Sequence, residues 1–146
     1  MSSTFQFISS ITGVLILIVG FTFHWVGQII SLVNRGLAIR FGIWEKDNLP
    51  EYEVYEDAMA YADAILGWIY GVAGVGLVLG APWGFTLACI PGVVLLYHSL
   101  CFWFWTRNQM RAGHQTAFTR NPARIVWFLA NCITGVLALS VAWVGR

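Results

Sequence analysis

Four apolar stretches, at about 5–33, 60–80, 82–105 and 123–144, are joined by two polar connections and one short apolar one along this chain. A hydrocarbon layer about 30 Å thick takes roughly 20 helical residues to cross, and within it only helices and closed barrels satisfy every backbone group. The pattern predicts four membrane-spanning helices. Between the second and third stands Gly80-Ala81-Pro82-Trp83-Gly84. There proline ends one helix and is tolerated in the first turn of the next, giving a tight uncharged hairpin. The other two connections are long and charged.

Asn48-Leu49-Pro50-Glu51 carries an N-cap residue with Glu three positions later and Pro in the first turn, a helix-start signature. A single helix over 48–80 would hold 33 residues, roughly 50 Å at 1.5 Å per residue. That exceeds the bilayer, so its first three turns are expected to protrude. Steps of three and four along it collect Glu53, Glu56, Ala60, Ala64, Gly67, Gly71, Gly74 and Val78 on one face, with Asp57 and Asp63 beside it. The stripe is acidic where it meets water and small where it meets lipid. Small residues let helix backbones approach closely, which is how helices associate in lipid.

The first span presents Gly13, Leu17, Gly20, His24, Gln28, Ser31 and Arg35 on a similar face, and the fourth presents Arg124, Asn131, Gly135, Ala138, Ala142 and Gly145. The third carries Ala88, Gly92 and Ser99 on one side and Pro91, His98 and Trp105 on another. Counted from the arginines that mark the charged surface, His24, His98 and Asn131 lie about 10–16 Å deep on the helical rise. A polar layer at one depth is therefore expected, with Asp63 at its mouth.

Composition agrees with lipid as the solvent: 58% hydrophobic, 16% aromatic and 10% charged residues, with mean hydropathy +0.70, exceed what a 146-residue soluble fold can bury. The opening Met1-Ser2-Ser3-Thr4 has no basic region and the apolar run after it is too long for a secretory leader, so the first helix is expected to stay. Cys89, Cys101 and Cys132 lack metal-type spacing and read as small hydrophobes. The expected fold is an all-α membrane protein: a four-transmembrane-helix bundle, one domain over 1–146, with a cytoplasmically extended second helix.

Charge sets the orientation. Arg35, Arg40, Lys46, Arg107, Arg111, Arg120 and Arg124 all fall in the connections after spans one and three. The positive-inside rule places both connections in the cytoplasm and both termini outside, as in a bacterial inner membrane. The first connection, through Asp63, carries three basic and seven acidic groups, net −4, against +4 over Arg107–Arg124. Exposed pairs between them would contribute less than about 1 kcal/mol each. Residues 35–46, which mix Leu37, Ile39, Phe41, Ile43 and Trp44 with Arg40 and Lys46, suit the headgroup layer. Trp83, Trp103, Trp105, Trp127 and Trp143 near span ends read as interfacial anchors.

Three functions compete for the polar layer. First is assembly: His, Gln and Asn hydrogen-bond between helices and hold register in a homo-oligomer or membrane complex, around a polar cavity open to the cytoplasm. Second is a membrane-embedded hydrolase, protease or metal-dependent enzyme. It would use the carboxylates of Glu56, Asp57 and Asp63 with His98 or the loop residue His114 to bind a divalent cation or activate water. Third is a b-type haem held by His24 and His98. No His-Glu-x-x-His, Gly-x-Ser-x-Gly or phosphate-cradling glycine loop occurs, so the metal or cofactor stays unspecified. A channel would need several copies. The basic loop lacks a nucleic-acid-binding signature, and topology explains its charge, so the lipid bilayer is the expected partner and nucleic acid is not.

Overall fold

The computed structural model describes residues 2–44, 49–114 and 123–145. Every regular element among them is helical, and no strand occurs among them. The first helix, α1, is Ser3–Val33. It begins at Ser2, whose hydroxyl accepts the Phe5 N–H at 3.3 Å. It ends at Asn34, whose side-chain oxygen accepts the Leu37 N–H at 3.0 Å and so starts the short α2, Arg35–Arg40. The middle of α1, Ile16–Val26, is π-helical. Its wider ladder is followed by the Thr22 hydroxyl, which reaches back five residues to the Leu17 carbonyl at 3.0 Å.

The expected uninterrupted second helix is two helices, α3 (Pro50–Leu66) and α4 (Trp68–Val78), bent by 49° at Gly67. The bend lies at a tertiary contact: Trp25 of α1 packs into the break, where a Cβ at Gly67 would lie 2.7 Å from Trp25 Cδ1. The Trp25 indole donates to the Ala64 carbonyl at 3.0 Å, satisfying a backbone acceptor at the interruption. The cap expected at Asn48 lies outside the described residues; the observed helix starts at Pro50 after Leu49.

Gly80, at φ 65°, closes the hairpin into α5, Pro82–Arg111. This helix is interrupted at Ala88, one turn before Pro91, which has no N–H to return to the preceding turn. It continues past the expected end at Trp105 to Arg111. The last helix, α6, is Ala123–Val144. Three helices, α1, α5 and α6, are long and apolar enough to cross a membrane, and α3–α4 supplies a fourth if the bent pair counts as one span.

In space α1 packs on α4 and α6, its last turns lie on α3, and α5 runs along α6. The small residues predicted to face protein are where the backbones meet. A Cβ at Gly13 would stand 2.7 Å from the Gly74 carbonyl, and one at Gly92 would stand 3.1 Å from the Gly135 carbonyl. Around these contacts Ile16, Tyr70, Leu77, Phe85, Leu95 and Val141 form the core. Buried hydroxyls serve their own helices: Ser9, Thr12 and Ser99 each donate to a carbonyl four residues back. They leave interhelical polar contact to other side chains.

Candidate functional site

One polar layer between the helices takes a side chain from each of α1, α3, α5 and α6: His24, Asp63, His98 and Asn131. Each is placed by its helix. His24 lies in the π-helical stretch of α1, Asp63 in the last turn before the Gly67 break, His98 on α5 one turn after Val94, and Asn131 one turn after Trp127 on α6. His24, Asp63 and Asn131 are buried, at 7%, 5% and 3% exposure. That three of the four lose nearly all contact with solvent makes each unsatisfied polar atom there costly.

His24 Nε2 stands 2.6 Å from Asn131 Oδ1, while the Asn131 amide nitrogen donates to the Trp127 carbonyl at 2.8 Å. With the amide orientation fixed in this way, Oδ1 is the acceptor and His24 Nε2 carries the proton. His24 Nδ1 then points its lone pair at Asp63, 3.8 Å from Oδ2. On the other side, His98 Nε2 lies 3.3 Å from Asp63 Oδ1. One donor atom from each of His24, Asp63 and His98 lies within 4.8 Å of the others, the spatial requirement for a shared metal ion. Asp63 Oδ2 is buried without a hydrogen-bond partner, as are Gln28 Oε1 and the Tyr70 hydroxyl.

A cavity of about 290 Å³ opens beside this layer. His24, His98, Ser99 and Asn131 form its floor, and Phe23, Phe102, Trp127 and Phe128 line its sides. Its far end is made by Phe41, Gly42 and Ile43 beyond α2 and by Tyr52, Tyr55 and Glu56 of α3. Arg124 also lines it and donates to the Ile43 carbonyl at 3.4 Å. The cavity therefore runs from the buried layer to the charged end of the chain, apolar along its walls and polar at both ends.

The sequence-derived candidates separate on this geometry. Asp63, His98 and His24 come together. Glu56 lines the cavity two helical turns from Asp63, roughly 10 Å along the rise, where the Tyr52 hydroxyl donates to it at 2.6 Å. Asp57 is turned away from that site and pairs with Arg35. His114 is exposed just past the end of α5, its backbone N–H bonded to the Gln109 carbonyl. Neither joins the cluster, because α3 turns one face to the layer and His114 lies beyond the membrane-length part of its helix. The two histidine rings meet edge to face with centroids 5.1 Å apart. That contact leaves no slot between them for a porphyrin.

In the segment expected at the headgroup layer, Phe41 is 64% exposed while Trp44 turns inward: the Arg35 guanidinium lies 3.8 Å from the centre of its ring, and Trp44 is only 4% exposed. Lys46 and Arg120 lie outside the described residues. Of the tryptophans expected as interfacial anchors, Trp83, Trp103 and Trp143 are exposed, while Trp105 also stacks on Tyr55 at 5.6 Å and Trp127 also packs on His24 at 5.0 Å. Trp127 and Tyr52 are site residues that periodicity alone did not single out. The available signal was that Trp127 lies one turn before Asn131, and Tyr52 one turn before Glu56.

No protein-family model matches this chain. No curated protein matches it in sequence, and no solved structure matches it. What the site does is therefore argued from its chemistry.

Proposed function

We propose that this chain is an integral membrane protein of four spans, with both termini outside a bacterial inner membrane, and that it is a membrane-embedded enzyme. His24, Asp63 and His98 are its reacting groups, and the cavity admits a small amphipathic molecule from the charged, cytoplasmic side. The reaction class is hydrolysis or proton transfer at a polar head held against the histidines, while the apolar remainder lies along Phe23, Phe102, Trp127 and Phe128.

The observation that supports this reading is the His24–Asp63–His98 cluster, two of whose members, His24 and His98, line an open cavity while Asp63 is buried behind them. Ionisable groups inside a membrane bundle are expensive and mark function. A structural role needs no cavity reaching the histidines. The outer faces support insertion in lipid. Val14, Ile18, Val72, Val93, Leu129 and Ile133 are all exposed on the helix surfaces, an arrangement that suits hydrocarbon rather than water. Assembly with other chains had been motivated by the small-residue faces, and these are occupied within the chain by the Gly13–Gly74 and Gly92–Gly135 contacts. Self-association or docking into a complex would need other surfaces.

The test compares lipid extracts of host membranes that carry equal amounts of the wild type and of Asp63→Asn. A species depleted or formed only with the wild type is expected. Indistinguishable extracts would overturn the enzymatic reading.

A further inference from the structure

The contact between His24 and Asp63 is electrically incomplete. Asn131 holds the His24 proton on Nε2, so Nδ1 offers a lone pair, and the atom it faces, Asp63 Oδ2, is a carboxylate oxygen with no hydrogen-bond partner. In that neutral form two electron-rich atoms face each other in a buried site and repel unless a cation lies between them. A second proton on the ring would make an imidazolium–carboxylate ion pair at 3.8 Å, too long for a hydrogen bond. A metal ion can bind both atoms directly. Two donors bound to one ion at about 2.1 Å stand roughly 3.4 Å apart at a tetrahedral angle; each histidine faces its own carboxylate oxygen near that spacing, His98 Nε2 at 3.3 Å from Oδ1 and His24 Nδ1 at 3.8 Å from Oδ2.

We propose that His24 Nδ1, His98 Nε2 and the Asp63 carboxylate bind a divalent first-row transition cation. This deepens the enzymatic reading, since it assigns the cofactor of the same cluster. The donor set of two imidazoles and one carboxylate suits zinc or ferrous iron over magnesium or calcium, which take oxygen ligands. Three further features fit. The three ligands come from three helices and converge to within 4.8 Å, so small side-chain movements close the site. Asn131 accepts the outer N–H of His24, the arrangement by which proteins fix the tautomer and ring angle of a metal-binding histidine. His24 and His98 also line the cavity, which leaves a coordination position on that side for water or a substrate oxygen. A site with three protein ligands and an open position is built as a catalytic one, and the bound ion would supply the acidity that turns its water into a nucleophile.

The experiment uses the full chain purified in detergent, stripped with chelator and titrated with Zn2+ alone and with Co2+ alone. One ion per chain is expected, and cobalt should give the visible absorption of a four- or five-coordinate nitrogen and oxygen site. His98→Ala and Asp63→Asn should each lose at least tenfold in affinity, and Asn131→Ala should weaken binding about tenfold to a hundredfold while keeping the stoichiometry. His114→Ala should bind as the wild type does. X-ray absorption of the zinc-loaded wild type provides a measurement independent of whether any variant folds, and it should report two imidazoles in the first shell. No bound ion, an ion whose shell lacks imidazole, or binding unchanged in both His98→Ala and Asp63→Asn would overturn the proposal. The two readings fail separately: lipid extracts that depend on Asp63 with no metal bound would leave an acid–base enzyme, whereas metal binding with unchanged extracts would leave a metal protein without that activity.

Discussion

Asp63 is held by a backbone arrangement that depends on one indole. The Gly67 N–H donates to the Asp63 carbonyl at 2.7 Å, and in the same turn Trp25 donates to the Ala64 carbonyl. Trp25→Phe keeps most of the ring and removes the donor. The expected loss is about 1 kcal/mol, the usual net worth of one hydrogen bond and near the upper end for interhelical bonds in membranes. A thermal-unfolding comparison in detergent should show a lowered midpoint, and an unchanged midpoint would mean that another donor serves Ala64. At this scale Asp63 was legible because it lies three residues after Ala60 and one before Ala64, beside a stripe too small to face lipid. The Arg35–Asp57 pair was not. Several basic side chains could reach that carboxylate, and only the return of α2 against α3 selects Arg35.

The helices pack by close approach of small residues, so bulk at those points has a definite cost. Gly92→Leu would drive a side chain into the Leu139 side chain, 2.8 Å from where even a Cβ would lie. Overpacking of this kind costs about 1–3 kcal/mol, and the midpoint should fall while the elution volume in detergent stays constant. Val93→Leu, one residue along on the exposed face, should change neither. A shift of oligomeric size with Gly92→Leu would mean that the α5 face serves contacts between chains. Steps of three and four in the sequence were enough to find these faces. They could not find the bend at Gly67 or the π-helical stretch at 16–26. Gly67 is spaced like Gly71 and Gly74, and what distinguishes it is Trp25, a residue about forty positions away whose approach requires the folded pair. The π ladder likewise has no period of its own in an apolar run where every residue tolerates lipid.

For the molecule as a whole, orientation is the expectation most directly open to measurement. In a background with Cys89, Cys101 and Cys132 replaced by Ala, Ser3→Cys should react with an impermeant maleimide in intact cells. His114→Cys should react only after the inner membrane is opened. The opposite pattern would place the cavity entrance outside. Depth was the global property that sequence conveyed best: helical rise from the arginines put His24, His98 and Asn131 at one level. Which helices adjoin was not encoded in any single face, since each amphipathic stripe fits more than one neighbour.

Because the polar layer takes one side chain from each of four helices, no fragment of the chain contains it. A folding intermediate with α1, α3 or α5 undocked lacks one of the three ligating groups, and one with α6 undocked lacks Asn131 and the helix along which α5 packs. Whatever fills the site therefore binds the finished fold alone, and mass action converts its affinity into global stability, about 2.7 kcal/mol at a hundred times the dissociation constant. Such a protein would be hard to unfold when loaded and fragile when empty, so occupancy would set its lifetime in the membrane as well as its activity.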